Sequence, residues 1–292
     1  MNVNQLKELC SRLAPNDGIT ATGLDGVLLY RVSNPMNRLP GVYTPRFCLN
    51  VSGSKRVFQS GQVREYGEGS FFCCTMPLPV ESDIPKATKK CPLLGISLEF
   101  DEQLMTETVI EMSSLDDDFR LGSAENDSGL LVGKLTSPLS EAMYRILSLV
   151  EDRSAASILG RGRLKEAYFQ LLKSDAGPFV RHRFGKRDKI TDVISFLKDN
   201  LHESFSMDDL AERAGMSRAV FFRRFKAMTS VSPVQFLKSL RLNTAAMHLA
   251  SGLGVNEAAF EVGYASPSQF SREFKRQFGM APREWEQGFD IP

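Results

Sequence analysis

At 292 residues the chain is about twice the ~150 residues of an average domain, which points to two domains, each able to bury a core without disulfides or a structural metal. Apolar residues at 42% and charged residues at 24% lie near the globular average and exclude wholesale disorder, a collagen-like chain and a membrane protein. The net charge of +1 hides two opposite halves: residues 1–180 carry 19 Lys+Arg against 22 Asp+Glu, a net of −3, and residues 181–292 carry 17 against 13, a net of +4. Positive is the sign a nucleic-acid-binding half needs.

No apolar run approaches the ~18 residues of a membrane span, and the start, MNVNQLKELCSRLAP, is charged and polar where a secretion signal needs an apolar stretch, so a cytoplasmic protein is expected. Cys10, Cys48, Cys73, Cys74 and Cys91 make an odd count without metal-ligand spacing and read as reduced thiols.

From Gly26 to Asp101, β-rich stretches come first: VLLYRVS, RFCLNVSG, SKRVFQSG, SFFCCTM and LLGISLEF, broken by Gly, Pro, Ser and Asn. Short strands with such punctuation predict a compact sandwich or small barrel. Gly53-Ser54 predicts a hairpin turn, because glycine reaches positive φ at little steric cost. In FFCCTM successive side chains alternate faces, so one of Cys73 and Cys74 is expected inside and the other outside. Helices follow at 102–112, 138–150 and 158–173, where apolar residues recur at i, i+3, i+4 and i+7. The Asp-, Gly- and Ser-rich segment 113–133 reads as a mobile surface loop. His182, His202 and His248 all follow the β region, so a barrel with a His-rich metal site cannot be built, and no G-x-S-x-G, P-loop or G-x-G-x-x-G pattern is present.

The second half is more specific. Residues 206–228, SMDDLAERAGMSRAVFFRRFKAM, spell two helices joined by a tight turn. Ser206 with Asp209 forms a capping box, Gly215 ends the first helix and Ser217 caps the second. Phe221 and Phe225, four apart, face the core, while Arg223, Arg224 and Lys226 point elsewhere. This is helix-turn-helix grammar. It recurs in residues 258–279, AAFEVGYASPSQFSREFKRQFG: Ala211 matches Ala259 and Gly215 matches Gly263, 48 apart, while Ser217, Phe221, Arg223, Phe225 and Lys226 match Ser266, Phe270, Arg272, Phe274 and Lys275, 49 apart. Ser266-Pro267 supplies a cap and an N1 proline, and Gln269 completes a Ser-x-x-Gln capping box. Between the repeats, Ser232-Pro233 opens a helix that stops at Gly252 and Gly254. About 18 residues at ~1.5 Å each make a rod of roughly 27 Å, suited to holding two reading helices about one DNA turn, ~34 Å, apart.

On these residues, 188–288 resembles the DNA-binding domain of the AraC/XylS family of bacterial transcription regulators. The ERAGMS turn, the RRFK and REFK endings, Arg241-Leu242 with Ala245, and VGYASPSQFSREFKRQFGMAPREW carry the likeness; DGVLLYRVSN, RFCLNVSGSKRV and LLGISLEFD make the first half similar to the family's N-terminal effector domain. The resemblance implies an α+β chain. A cupin-like β-barrel with trailing helices, for effector sensing and as a candidate dimerisation domain, would occupy 1–175, followed by a linker at 176–187. An all-α domain over 188–292 would hold two helix-turn-helix motifs near 207–228 and 256–278, joined by the long helix. The partners implied are double-stranded promoter DNA, RNA polymerase, a small-molecule effector and a second copy as homodimer, with no membrane and no cofactor.

In the family pattern the base-reading face maps onto Ala219, Phe222 and Arg223 in the first repeat and onto Ser268, Gln269, Ser271 and Arg272 in the second. Arg223 and Arg272 are the leading candidates, because a guanidinium donates two bonds to guanine O6 and N7. Phe222 stands where a polar residue is common; it either packs on thymine methyls or tucks inward. Ser217, Arg224, Lys226, Ser266, Lys275 and Arg276 are candidates for phosphate contacts, which position without specifying sequence. Tyr30, Cys48, Phe72 and Met76 are candidates for lining an effector pocket, although pocket walls and plain core share residue types. Trp285 is expected to close the second subdomain's core and His248 to pack on the long helix.

Two other readings stand beside this one. Cysteine modification at Cys73-Cys74 could replace a reversible effector. An enzyme fused to a DNA-binding module would need a convergent acid, base or metal site, and Arg46, Glu65 and Glu99 share no motif. In the helix at 158–173, Leu164, Tyr168, Leu171 and Leu172 form one stripe that either pairs with a second chain or covers the barrel.

Overall fold

The alternating stretches of the first hundred residues become strands divided between two sheets. The computed structural model describes residues 3–115, 129–185 and 188–288. Helix α1 (Val3–Leu13) precedes β1 (Gly18–Ala21), β2 (Val27–Val32), β3 (Met36–Tyr43), β4 (Arg46–Ser52), β5 (Lys55–Gln59), β6 (Gln62–Tyr66), β7 (Ser70–Cys74), β8 (Leu78–Ile84) and β9 (Leu93–Glu99), with β10 (Leu130–Lys134) joining later. One sheet runs β1-β2-β9-β4-β7-β10 and the other β3-β8-β5-β6. All pairings are antiparallel. The cupin-like barrel is therefore two sheets that do not close on each other. The larger sheet is covered on one face by the smaller sheet and on the other by α1 and later helices.

That double cover corrects the expectation for the vicinal cysteines. Cys74 joins Phe72 on the face toward the smaller sheet and Cys73 joins Phe71 on the helix-covered face, so they alternate, yet both are fully buried. The Gly53-Ser54 hairpin is corrected too. Gly53 does adopt positive φ, but β4 pairs with β7 and β9 whereas β5 pairs with β6 and β8. The turn hands the chain from one sheet to the other, so close that a Cβ at Gly53 would lie 2.8 Å from Leu93 Cα.

The helices α2 (Glu102–Leu115), α3 (Ser137–Leu147), α4 (Arg153–Leu172) and α5 (Gly177–Gly185) follow. The segment expected as a loop at 113–133 is helical up to Leu115 and re-enters the sheet at Leu130, where β10 pairs with β7; residues 116–128 lie outside those described. On α4, Tyr168, Leu171 and Leu172 are buried and Leu164 packs beside them, so this stripe is turned into the N-terminal domain's own core, against the neighbouring helices. Helix α5 lies where a linker was expected and inserts Phe179, Val180 and Phe184 into the same core.

The remaining helices are α6 (Lys189–Asp199), α7 (Met207–Arg213), α8 (Arg218–Thr229), α9 (Pro233–Ala250), α10 (Val255–Glu261), α11 (Pro267–Phe278) and α12 (Pro282–Gly288). The long helix α9 packs on β3 and β8 of the smaller sheet. The backbone N–H of Val42 on β3 donates to Met247 Sδ at 3.3 Å, and Ser60 Oγ, at the β5–β6 turn, donates to the Thr229 carbonyl at 3.3 Å. One apolar cluster runs from Phe72, Leu78 and Val80 to Phe221, Phe236, Phe270 and Trp285.

Candidate nucleic-acid interface

The two repeats fold into two helix-turn-helix units, α7–α8 and α10–α11, joined by α9 over 18 residues. Each second helix is fixed by its apolar stripe: Phe221 and Phe225 are fully buried on α8, and Phe270 and Phe274 on α11. Their rings meet edge-on or tilted at 5.5 and 5.4 Å, the geometry the ring quadrupole favours. Trp285 closes the second unit as expected, 5.7 Å from Phe274 and 5.3 Å from Phe278. With these stripes buried, the opposite face of each helix is turned to solvent.

On α8 that face presents Ala219, Arg223, Arg224 and Lys226, all exposed, with Phe222 half-buried. On α11 it presents Ser268, Gln269, Arg272, Lys275 and Arg276, all exposed, with Ser271 and Ser266 half-buried. Arg223 and Arg272 form no ion pair among the described residues, which leaves both guanidinium groups available to a ligand. Arg224 is tied back to Asp188, the N-cap of α6, at 3.4 Å. Phe222 leans on Phe221, centroids 6.1 Å apart, under the guanidinium of Arg218 at 5.7 Å; Arg218 in turn pairs with Asp208 at 3.0 Å.

The caps divide the repeats. Ser206 and Asp209 make the reciprocal box at the start of α7. Ser217 stands at the N-cap of α8 but its side chain makes no cap bond. Ser266 Oγ accepts from the Gln269 N–H; the Gln269 side chain, expected to return the bond, donates instead to Glu273 Oε1 at 3.3 Å.

Glu273 is a residue that sequence spacing did not single out. Lys238 on α9 lies 2.9 Å from its carboxylate and the Tyr264 hydroxyl donates to it at 2.9 Å. Burial pushes its carboxyl up, but the hydrogen bonds from Lys238, Tyr264 and Gln269 outweigh that and hold it below the ordinary carboxylate value. At the matching place, 49 residues earlier, stands Arg224 with its Asp188 partner. At this equivalent position Arg224 ties α8 to the start of α6 and Glu273 ties α11 to α9, with the charges exchanged.

Of the pocket candidates, Tyr30 is half-buried and its hydroxyl donates to Asn50 Oδ1 at 2.6 Å. It reaches Asn50 across Gly95, where a Cβ would sit 2.3 Å from the Tyr30 oxygen. Asn50 Nδ2 continues to the Tyr66 carbonyl at 3.0 Å, so this polar line crosses from one sheet to the other. Half-buried Cys48 contacts Ser97 Oγ at 3.6 Å, Phe72 lies between the rings of Tyr43 and Tyr66 at 5.2 and 5.5 Å, and Met76 is core. Arg46 and Glu99 approach to 4.0 Å, while Glu65 lies on the other sheet, opposite Arg56. Among the described residues no group of His, Cys, Asp and Glu could hold a metal ion.

The model of the AraC-type transcriptional regulator N-terminus matches residues 23–179, more than half of the chain, and a helix-turn-helix domain model matches residues 210–288. The chain belongs to the AraC-type transcriptional regulators. Among relatives of this AraC-type regulator, the HTH-type transcriptional activator RhaS of Escherichia fergusonii is 36% identical over 104 residues, 35% of this chain and 37% of RhaS. The virulence regulon transcriptional activator VirF of Yersinia enterocolitica is 24% identical over 160 residues, 53% of this chain and 58% of VirF. The AraC-type regulator thus matches only about a third to just over half of the length of these curated relatives. Its fold is similar to that of ToxT from Vibrio cholerae, with a TM-score of 0.62 at 14% identity, covering 89% of this chain and 97% of ToxT.

Proposed function

We propose that this AraC-type regulator binds duplex promoter DNA through α8 and α11 in successive major grooves, and that a small molecule held by its N-terminal domain controls that binding. The observation that carries the reading is the pair Arg223 and Arg272, exposed and unpaired among the described residues at equivalent places on two recognition helices. An 18-residue helix joins the two units, a rod of roughly 27 Å against a ~34 Å DNA turn. Arg223, Arg272, Gln269 and Ser268 read bases; Lys226, Lys275, Arg276 and Ser217 hold phosphates. Control by a small molecule is supported by the polar line Tyr30–Asn50–Tyr66 between the sheets and by the fold shared with ToxT, one of whose structures is of its unsaturated-fatty-acid-bound form. Work alongside RNA polymerase, in the cytoplasm and without catalytic chemistry, follows from the same reading.

The test is selection of bound duplexes from a random pool, then titration of variants on the selected sequence. Arg272→Ala relaxes one guanine position at a cost of ~1–3 kcal/mol. Lys275→Ala weakens every duplex alike and flattens the salt slope by about one. Equal losses on selected and random duplex for Arg272→Ala would overturn the base-reading assignment.

A further inference from the structure

A cleft of about 530 Å³ lies within the N-terminal domain, on the helix-covered side of the larger sheet and so outside the space between the sheets. It is bounded by the β1–β2 turn at 23–25, by Leu149 just after α3 and by the first half of α4. Its size falls within the ~300–1,000 Å³ of ordinary ligand pockets. The cleft exists because α4 changes character along its length. In its second half Leu164, Tyr168 and Leu171 close on the core, whereas one and two turns before Leu164 the same stripe carries Gly160 and Ala156. Glycine inside a helix is destabilising, and a Cβ at Gly160 would meet no atom within 4 Å. Small side chains thus hold open a space that larger ones would fill.

The groups that line this space are accessible. Leu24 and Leu164 are half-buried and offer apolar surface, and Asp25, Asp101, Arg153 and Arg161 are exposed around it. Arg161 is answered by Glu107 at 2.9 Å, and Asp101 Oδ1 accepts the Leu104 N–H at the start of α2 at 2.9 Å. Asp25 and Arg153 form no ion pair among the described residues, with each other or with any other group. Arg153 is moreover the first residue of α4, where the helix dipole disfavours a cation and favours an anion. The cleft therefore combines one unanswered charge of each sign with apolar surface.

We propose that this cleft binds a free α-amino acid with an apolar side chain, its carboxylate on Arg153, its ammonium on Asp25 and its side chain against Leu24 and Leu164. The guanidinium and the start of α4 both favour the carboxylate end. A simple carboxylate would meet the like charge of Asp25, and a simple amine that of Arg153, so only a ligand carrying both charges is matched throughout. Every lining residue belongs to the N-terminal domain, so the binding does not rest on the DNA-reading assignment.

The full-length chain is titrated calorimetrically with L-leucine and L-phenylalanine, and with two fragments of leucine: 4-methylpentanoate, which lacks the ammonium, and 3-methylbutylamine, which lacks the carboxylate. Saturable one-to-one binding of leucine or phenylalanine with a Kd below about 1 mM is expected, at least tenfold tighter than either fragment. Arg153→Gln and Asp25→Asn, both at exposed positions, should each weaken the amino acid at least tenfold. Gly160→Leu puts a side chain into open space and should abolish binding while the melting temperature stays at or above that of wild type. Failure of both amino acids to bind, equal binding of either fragment, or unchanged affinity in Arg153→Gln or Gly160→Leu overturns the proposal. Gel retardation of a selected duplex by the same preparations reports separately on the regulator. Retained DNA binding without amino-acid binding removes only the cleft, and amino-acid binding without DNA binding removes only the regulator.

Discussion

Glu273 stands next to Arg272 and four residues after Gln269, and its carboxylate decides how the Gln269 side chain is presented. Gln269 is held by Glu273 Oε1, while Lys238 and Tyr264 hold the carboxylate against α9. Because its folded pKa is lowered, its contribution to stability is complete above the unfolded value and is lost as pH falls through the folded one. Glu273→Gln is therefore expected to destabilise the chain by about 1–2 kcal/mol near neutral pH, with the gap to wild type closing below pH ~4. Urea melts of both proteins across that range check the sign; a gap that persists in acid would show that the carboxylate charge is not what matters. The cysteines give a second prediction at this scale. Burial pushes the Cys74 thiol up to about 12 and raises Cys73 well above its ordinary value, which removes the thiolate that oxidants and electrophiles need. Cys91 is exposed. Mild treatment of the folded chain with an aldehyde or peroxide, read by mass spectrometry, should modify Cys91 and leave Cys73 and Cys74 intact; early modification of the buried pair would restore a thiol-sensing reading.

At the level of elements, the two serine caps of the first helix-turn-helix behave differently. Ser206→Ala breaks a reciprocal box and is expected to cost ~1 kcal/mol. Ser217→Ala removes no cap bond, so melting should be nearly unchanged, and a loss of DNA affinity would then isolate its phosphate contact. Equal thermal losses for the two would contradict the cap geometry. Both serines were readable in the sequence, as were the buried phenylalanine stripes, because helix starts and 3.6-residue periodicity are local. Much of the sheet was not. Strand β3, MNRLPGVY, carries a proline, a glycine and an arginine, and β6, QVREY, is mostly exposed at a sheet edge; neither alternates cleanly. Likewise Lys238–Glu273 and Arg224–Asp188 join residues 35 and 36 apart, and nothing in the local spacing marks either pair. The offset between repeats did show that Arg224 and Glu273 are equivalent, but not that each finds a partner of opposite sign.

Across the whole molecule, the decisive feature is that the N-terminal half and the helix-turn-helix half share apolar surface. Val80 on β8 is 2% exposed and belongs to the same cluster as Phe225, Phe236 and Phe274. A ligand that acts on one half can reach the other only if the two respond together, and a continuous core supplies that coupling without a dedicated wire. Val80→Asp places a carboxylate in this shared surface, a burial expected to cost several kcal/mol. In wild type a single calorimetric transition is expected, because separating the halves exposes both sides of the core. In Val80→Asp the profile should split, with one component matching the melting of a fragment spanning 188–292. If wild type already melts in two steps and one coincides with that fragment, the halves do not support each other. Signals from the N-terminal domain would then have to travel through the chain connection near α5 and not through the β8–α9 contact.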